Sequence, residues 1–220
     1  MAHDKATVRK VLDGVKASGR TALTAPEAKQ VCDAFHIPLP QEDLATSADA
    51  AAKSASSMGF PVVMKIVSAD ILHKTDAGGV IVGVKSAEEA KSAYETIIAN
   101  AKKYKADAKI DGVQIQQMLP SGAVETLIGS ITDPSFGKLV AFGMGGVFVE
   151  VLKDLTFRLA PVNETEALDM LGSIKAQEML DGVRGAAAVD RKALAKILVN
   201  VSALLDAFPE ISELDLNPVF

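Results

Sequence analysis

A lysine stands inside the apolar run Pro61-Val62-Val63-Met64-Lys65-Ile66-Val67, and His73, Lys74 and Asp76 follow before the glycine pair Gly78-Gly79. An unpaired ammonium is costly to bury, so Lys65 needs a path to water, as on an edge strand, or an anionic partner. A glycine pair lets backbone approach a ligand closely and present N–H groups to phosphate oxygens, although a hairpin turn uses the same residues. His73 has a side chain that exchanges protons near neutrality or attacks phosphorus as a nucleophile. A lone loop histidine is ordinarily just solvated, and only its neighbours here give it a second meaning.

Further along, Arg158 in Phe157-Arg158-Leu159-Ala160-Pro161 poses the Lys65 problem again, a cation within an apolar run. Gly143-Met144-Gly145-Gly146 reads as a second glycine-rich turn, leading into Val147 to Val151 with Glu150 inside it. Two such cations and two glycine turns favour a phosphorylated ligand. Glu213-Leu214-Asp215-Leu216-Asn217-Pro218 alternates strictly. Residues two apart in a strand share a face, so Glu213, Asp215 and Asn217 line one side and the leucines the other. Three oxygen-bearing groups in a row suit a hard cation such as Mg²⁺, and equally a solvated strand face. Asn217 is the informative member, a poor strand former placed before a proline. Gln116-Gln117-Met118-Leu119-Pro120 leads out of a strand into Ser121-Gly122, a connector between subdomains, after which Glu125 begins another strand.

A chain of 220 residues with 49% hydrophobic and 23% charged residues is that of a folded globular protein with one large domain or two small ones. Its net charge of −5 argues against non-specific nucleic-acid binding but leaves room for a small phosphorylated ligand, which needs only a few local donors. Cys32 is the one cysteine, too few for an internal disulfide framework or a cysteine-rich metal site. No run approaches the roughly 18 apolar residues of a membrane span. The first ten residues are polar and charged, without a signal-peptide core. The expected setting is cytoplasmic, with no membrane and no nucleic acid among the partners.

These residues require elements to hold them. Val8, Val11, Leu12 and Val15 mark one helix face over 4–17. Thr24 and Glu27 form a capping-box pattern before the stripe Ala28, Val31, Cys32, Phe35, and Pro38 and Pro40 stop that helix. The alanine- and serine-rich segment 47–57 is a third helix ended by Gly59. Strands follow at 61–67 and Val80 to Val84. Ser86 and Glu89 cap a helix with core stripe Ala90, Ala93, Tyr94, Ile97, Ile98, Ala101. The chain then turns β-rich, with strands at 113–118, 124–131, 138–143, 147–151 and 155–160. Asn163 opens a helical stretch, a longer helix covers about 190–207, and a strand over Ser212 to Val219 closes an α+β arrangement. The expected halves are 1–115, with the leading helices, and 116–220.

The stretches "GFPVVMKIVSADILHKTDAGGVIVGV", "VQIQQMLPSGAVETLIGSITDPSFG", "AFGMGGVFVEVLKDLTFRLAPV" and "ELDLNP" together resemble the ATP-grasp β subunit, or β domain, of NDP-forming acyl-CoA synthetases. The enzyme type is the ADP-forming acetate–CoA ligase, of the succinyl-CoA synthetase superfamily, and the likeness runs in order from about Thr24 to Phe220. It implies an ATP-grasp fold of two α/β subdomains with the nucleotide cleft between them, ATP or ADP and Mg²⁺ as cofactors, and the reaction acid + ATP + CoA ⇌ acyl-CoA + ADP + phosphate. By the same resemblance Lys65 contacts nucleotide phosphates and His73 carries a phosphoryl group. The loop through Gly78 and Gly79 covers the phosphates, and Gln117, Met118 and Leu119 form the adenine-binding hinge. Glu125 falls at a family glutamate, Arg158 points toward the phosphates, and Asn217, with Asp215 beside it, is the Mg²⁺ ligand. CoA binding and the principal phosphohistidine belong to an α subunit or fused domain, so the implied assembly is a hetero-oligomer or longer chain.

Two departures accompany the likeness. Gln117 stands where a glutamate is common, and the family usually continues beyond the Asn-Pro into a strand whose Asp completes the Mg²⁺ site, so Phe220 reads as the end of a shortened or excised domain. Two rival readings are a non-catalytic regulatory ATP-grasp-like domain of a fused acyltransferase and an ATP-grasp carboxylate–amine ligase. The retained Lys65, His73 and Asn217 speak against the first, and the "HKTDAGGV" loop against the second.

Overall fold

A computed structural model describes all residues except Met1, Ala69, Leu72, Pro120, Ser121, 146–153 and 184–186. The expected strand at 147–151, with Glu150 and Gly146, therefore lies outside the described residues. The chain forms two compact units, Pro40–Pro120 and Met1–Leu39 with Ser121–Phe220, so it crosses from one to the other twice.

The Pro40–Pro120 unit is an antiparallel sheet with helices on one face. Its strands β1 (Glu42–Ala45), β2 (Val62–Val67), β3 (Val80–Val84) and β4 (Gly112–Gln117) lie in the order β1-β4-β2-β3. In β2, Val62, Met64 and Ile66 are buried while Val63, Lys65 and Val67 are half-exposed, the period of two that puts one set against the core and the other on the open face. Helices α3 (Ala48–Met58) and α4 (Ala87–Tyr104) cover the buried set with Ala51, Ala55, Ala90, Ala93, Ile97 and Ala101. Their ends follow from local chemistry. The Ser47 and Ser86 hydroxyls accept from Ala50 and Glu89 N–H at 3.2 and 3.1 Å, and Gly59 ends α3 at φ 85°, where a side chain would be strained.

The second unit is a four-stranded antiparallel sheet of β5 (Thr126–Asp133), β6 (Gly137–Met144), β7 (Leu155–Leu159) and β8 (Leu214–Val219), in the order β7-β6-β5-β8. Its core joins Ile128, Val140, Phe142 and Met144 to helices α1 (Lys5–Ala17), α2 (Ala25–Ala34), α5 (Glu164–Ser173) and α6 (Arg191–Ala207), with a short 3-10 turn at Gln177–Asp181. Burial in this core pushes the Cys32 thiol up to about 11.

Two expectations change here, and two elements are new. The division at 115/116 is replaced by one in which the leading helices belong with the later residues, because Val8, Val31 and Phe35 pack into the same core as Ile128 and Phe142. The strand expected at 138–143 runs on through Met144, so Gly143 and Met144 do not begin the glycine-rich turn. A Cβ at Gly143 would lie 2.4 Å from the Asp154 carbonyl oxygen, so the glycine is needed for β7 to approach. Finally, β1 and the 3-10 turn were not expected from the residue pattern.

Candidate functional site

Lys65 occupies the open face of its sheet. Its Nζ donates to Gln116 Oε1 at 2.6 Å, and among the described residues it enters no ion pair. An ammonium that meets only an amide keeps its charge available to an anion, so this position fits a phosphate group.

The loop from β2 to β3 is held at both ends. Asp70 Oδ2 accepts from Lys109 N–H at 2.7 Å and Oδ1 from Lys105 Nζ at 3.3 Å, and that backbone bond, with Lys105 after it, lowers the Asp70 carboxyl below its ordinary value. Ser68 Oγ donates to the Lys109 carbonyl at 2.7 Å, and Ile71 and Ala77 are buried. Between these anchors His73, Lys74, Thr75 and Asp76 are exposed. The glycines act otherwise than expected. Gly78 N–H donates to Thr75 O at 3.0 Å and Gly79 N–H to Lys74 O at 2.8 Å, so both donors are engaged within the loop rather than offered to phosphate. What requires glycine is space. A Cβ on Gly79 would lie 2.5 Å from Ile66 Cγ2, and one on Gly78, at φ 60°, would lie 2.9 Å from Asn100 Nδ2. The pair clamps the loop to β2 and α4.

The segment expected to be the hinge, Gln117 to Leu119, leaves the far end of the same sheet. Gln117 ends β4, its N–H donating to Gln41 O at 2.8 Å, and Met118 N–H leans on Pro61 O at 3.4 Å. Gln117 is exposed and Met118 and Leu119 are half-buried, one residue short of the 120/121 crossing. Because β2 and β4 are antiparallel, with Val62 opposite Gln117 and Val67 opposite Gly112, the hinge and the His73 loop flank opposite ends of β2. Five residue steps separate those ends, about 17 Å at the usual strand rise, and Lys65 lies between.

In the other unit, Leu214 and Leu216 pack against the core and Asp215 and Asn217 take the exposed face. Asp215 is opposite Gly129, which puts no side chain over the carboxylate, and Asn217 sits where the β5–β8 register shifts between Thr126 and Ile128. Glu125 is exposed just before β5, its carbonyl accepting from Gly145 N–H at 2.7 Å. Among the described residues no group of three His, Cys, Asp or Glu converges. Two exposed oxygen ligands do fit Mg²⁺, which commonly takes one or two from protein and the rest from water and phosphate. Arg158 departs from expectation. It is opposite Val140, on the helix-covered face away from Asp215, and its guanidinium pairs with Asp169 of α5.

Glu42, Gln114 and Gln116 escaped sequence reasoning. Glutamines at alternate positions of a strand read as an ordinary polar face, and only the folded sheet shows that Gln116, opposite Val63, reaches diagonally to Lys65.

Residues 14–220 match the model of an ATP-grasp domain family. The chain is 47% identical over 215 residues to the β subunit of ADP-forming acetate–CoA ligase I of Pyrococcus furiosus, covering 98% of this chain and 92% of that one. It is also 47% identical over 216 residues to the ADP-forming 4-hydroxybutyrate–CoA ligase of Nitrosopumilus maritimus, of which it spans only 31%. Among solved structures it resembles the acetyl-coenzyme A synthetase 1 of Ca. Korarchaeum cryptofilum. That protein was captured with coenzyme A and Mg-AMPPCP, its phosphohistidine segment pointing towards the nucleotide site, and the match has a TM-score of 0.81 and 39% identity over 97% of this chain and 92% of that one.

Proposed function

The chain belongs to the ATP-grasp domain family, and on that premise we propose that it is the nucleotide-binding β subunit, or β domain, of an ADP-forming acyl-CoA synthetase, an acid–thiol ligase. The observation that carries the reading is the order of groups along β2. Hinge, free-charged lysine and histidine loop succeed one another, so an elongated ligand laid along the strand meets a base-binding end, then a cation, then His73. A nucleotide has that order of base and phosphates.

In this reading Met118 and Leu119 offer an apolar rest for the base, with Gln117 beside them, and Lys65 stabilises phosphate charge through a charge-assisted hydrogen bond. Gly78 and Gly79 hold the loop that presents His73, whose ring nitrogen would attack the phosphorus of the partner's phosphohistidine, breaking that N–P bond and freeing the partner's imidazole. His73 would then pass the phosphoryl group to a β-phosphate oxygen of ADP as its own N–P bond breaks, giving ATP. Asp215 and Asn217 would hold Mg²⁺, with Glu125 in the segment just before β5. When bound, the ion supplies neutralisation of phosphate charge and orientation of the transferring group. Arg158 has no part in this.

The partner is an α subunit or fused CoA-binding domain, since relatives of matching length are called β subunits while others contain the matching segment as about a third of a longer chain. No helix among the described residues is long and apolar enough to cross a membrane, and we place the assembly in the cytoplasm. Calorimetry tests the proposal. The chain alone is expected to bind Mg·ADP and to make no acyl-CoA, and to gain acyl-CoA synthesis when an α partner is supplied. Absence of Mg·ADP binding would favour the regulatory-domain alternative. Robust synthesis by the chain alone would refute the need for a partner.

A further inference from the structure

Strand β4 separates a carboxylate on β1 from the ammonium on β2. Gln114 is opposite Lys65, and Gln116 is opposite Glu42. The side chains cross this register. Gln114 Nε2 donates to Glu42 Oε2 at 2.8 Å, while Gln116 Oε1 accepts from Lys65 Nζ at 2.6 Å. Each charge therefore meets a neutral amide rather than the other charge. Sheet pairing alone does not need these contacts, because backbone registry already joins β4 to both neighbours along their lengths.

We infer that Gln116 is the positioning residue for Lys65, and that its being an amide rather than a carboxylate leaves the ammonium charge free for a phosphorylated ligand. The inference rests on the reading of Lys65 as a phosphate contact. A lysine has four side-chain torsions to order on binding. A half-buried acceptor on the adjacent strand orders them beforehand, which lowers the entropic cost of capture. A carboxylate at 116 would supply the same acceptor and also neutralise the charge, so a phosphate would first have to displace an ion pair. An apolar side chain would leave the charge intact and the torsions free.

The test is calorimetry of the whole chain with Mg·ADP and, separately, with adenosine, on the parent and on Lys65→Ala, Gln116→Met and Gln116→Glu, with melting temperatures recorded. Gln116→Glu is expected to weaken Mg·ADP by roughly ten- to a hundred-fold, the scale of a hydrogen bond to a charged group. Gln116→Met should weaken it less, and both should leave adenosine affinity and the melting temperature close to the parent values. If Lys65→Ala leaves Mg·ADP affinity unchanged, the phosphate reading of Lys65 falls and this inference with it. If Lys65→Ala weakens Mg·ADP while both Gln116 variants match the parent, that reading stands and the positioning role is wrong. An equal loss of adenosine and Mg·ADP affinity in the Gln116 variants would make Gln116 a general structural residue and also overturn the inference.

Discussion

At the scale of single residues, what the sequence makes legible is a side chain that breaks its local pattern, not the use to which it is put. Lys65 stands out against its apolar neighbours, and the path to water it requires comes from the open face of an interior strand rather than from a sheet edge. Arg158 broke its pattern in the same way for a different reason. Alternation shows that a cation faces away from its neighbours, but not which face a helix will cover, and α5 brings Asp169 to it. Arg158→Ala should therefore leave Mg·ADP affinity within twofold of the parent, while removing a partly exposed ion pair worth about 0–1 kcal/mol. For His73 the expectation runs the other way. A phosphoryl carrier replaced by Ala, with an α partner present, should lose nearly all ATP formation from acyl-CoA while Mg·ADP still binds. A fixed phosphate-binding histidine would instead weaken nucleotide binding and leave substantial turnover. Turnover near the parent rate in His73→Ala would end the carrier reading.

At the scale of elements, ends were more legible than partners. Capping residues act within a turn of the chain, so Thr24 with Glu27, Ser86 with Glu89 and Asn163 can be read in place and cap the helices that follow, while Glu166, the partner of Asn163, comes from the structure. The edge strand β1 is four residues long and exists because β4 pairs with it, information that no local window contains. The glycines divide by the same logic. Gly79 is required by Ile66, thirteen positions earlier, whereas a Cβ added at Gly14, on the exposed side of α1, would meet nothing within 4 Å. Gly79→Ala should cost roughly 1–3 kcal/mol by overpacking, and Gly14→Ala should add about 0.5–1 kcal/mol by raising helix propensity, both read from urea midpoints.

The capping box also has a pH signature. Bonds from Arg20 first, and then from Thr24, hold the Glu27 carboxyl down at about 2 against an ordinary 4.5. A depressed folded-state value means stability present above the ordinary value and lost as pH falls through the folded one. Glu27→Gln should thus be less stable than the parent at pH 7, with the gap narrowing as the pH drops from 4.5 toward 2. A gap independent of pH would mean that the carboxylate's charge contributes nothing there.

At the scale of the whole molecule, the two cores share no residue among those described, and the leading helices belong to the core that is distant from them in sequence. Composition and periodicity could identify those helices but not assign them, because an apolar stripe reports that something covers it and not what does. Phe35 decides the matter. It is fully buried, stacks on His3 with ring centroids 4.4 Å apart, and meets Phe208 of the α6 cap edge-on at 5.9 Å. Removing its ring leaves a cavity beside Phe208 and His3 in the core that also holds Ile128 and Phe142, so Phe35→Ala should cost about 3–5 kcal/mol. The loss should fall on one unit. Amide exchange in that variant is expected to quicken across β5, β6 and α6, while β2 and β4, which bear Lys65 and Gln116 on a separate core, keep protection closer to the parent's. Uniform loss of protection across both sheets would mean that the two units unfold as one.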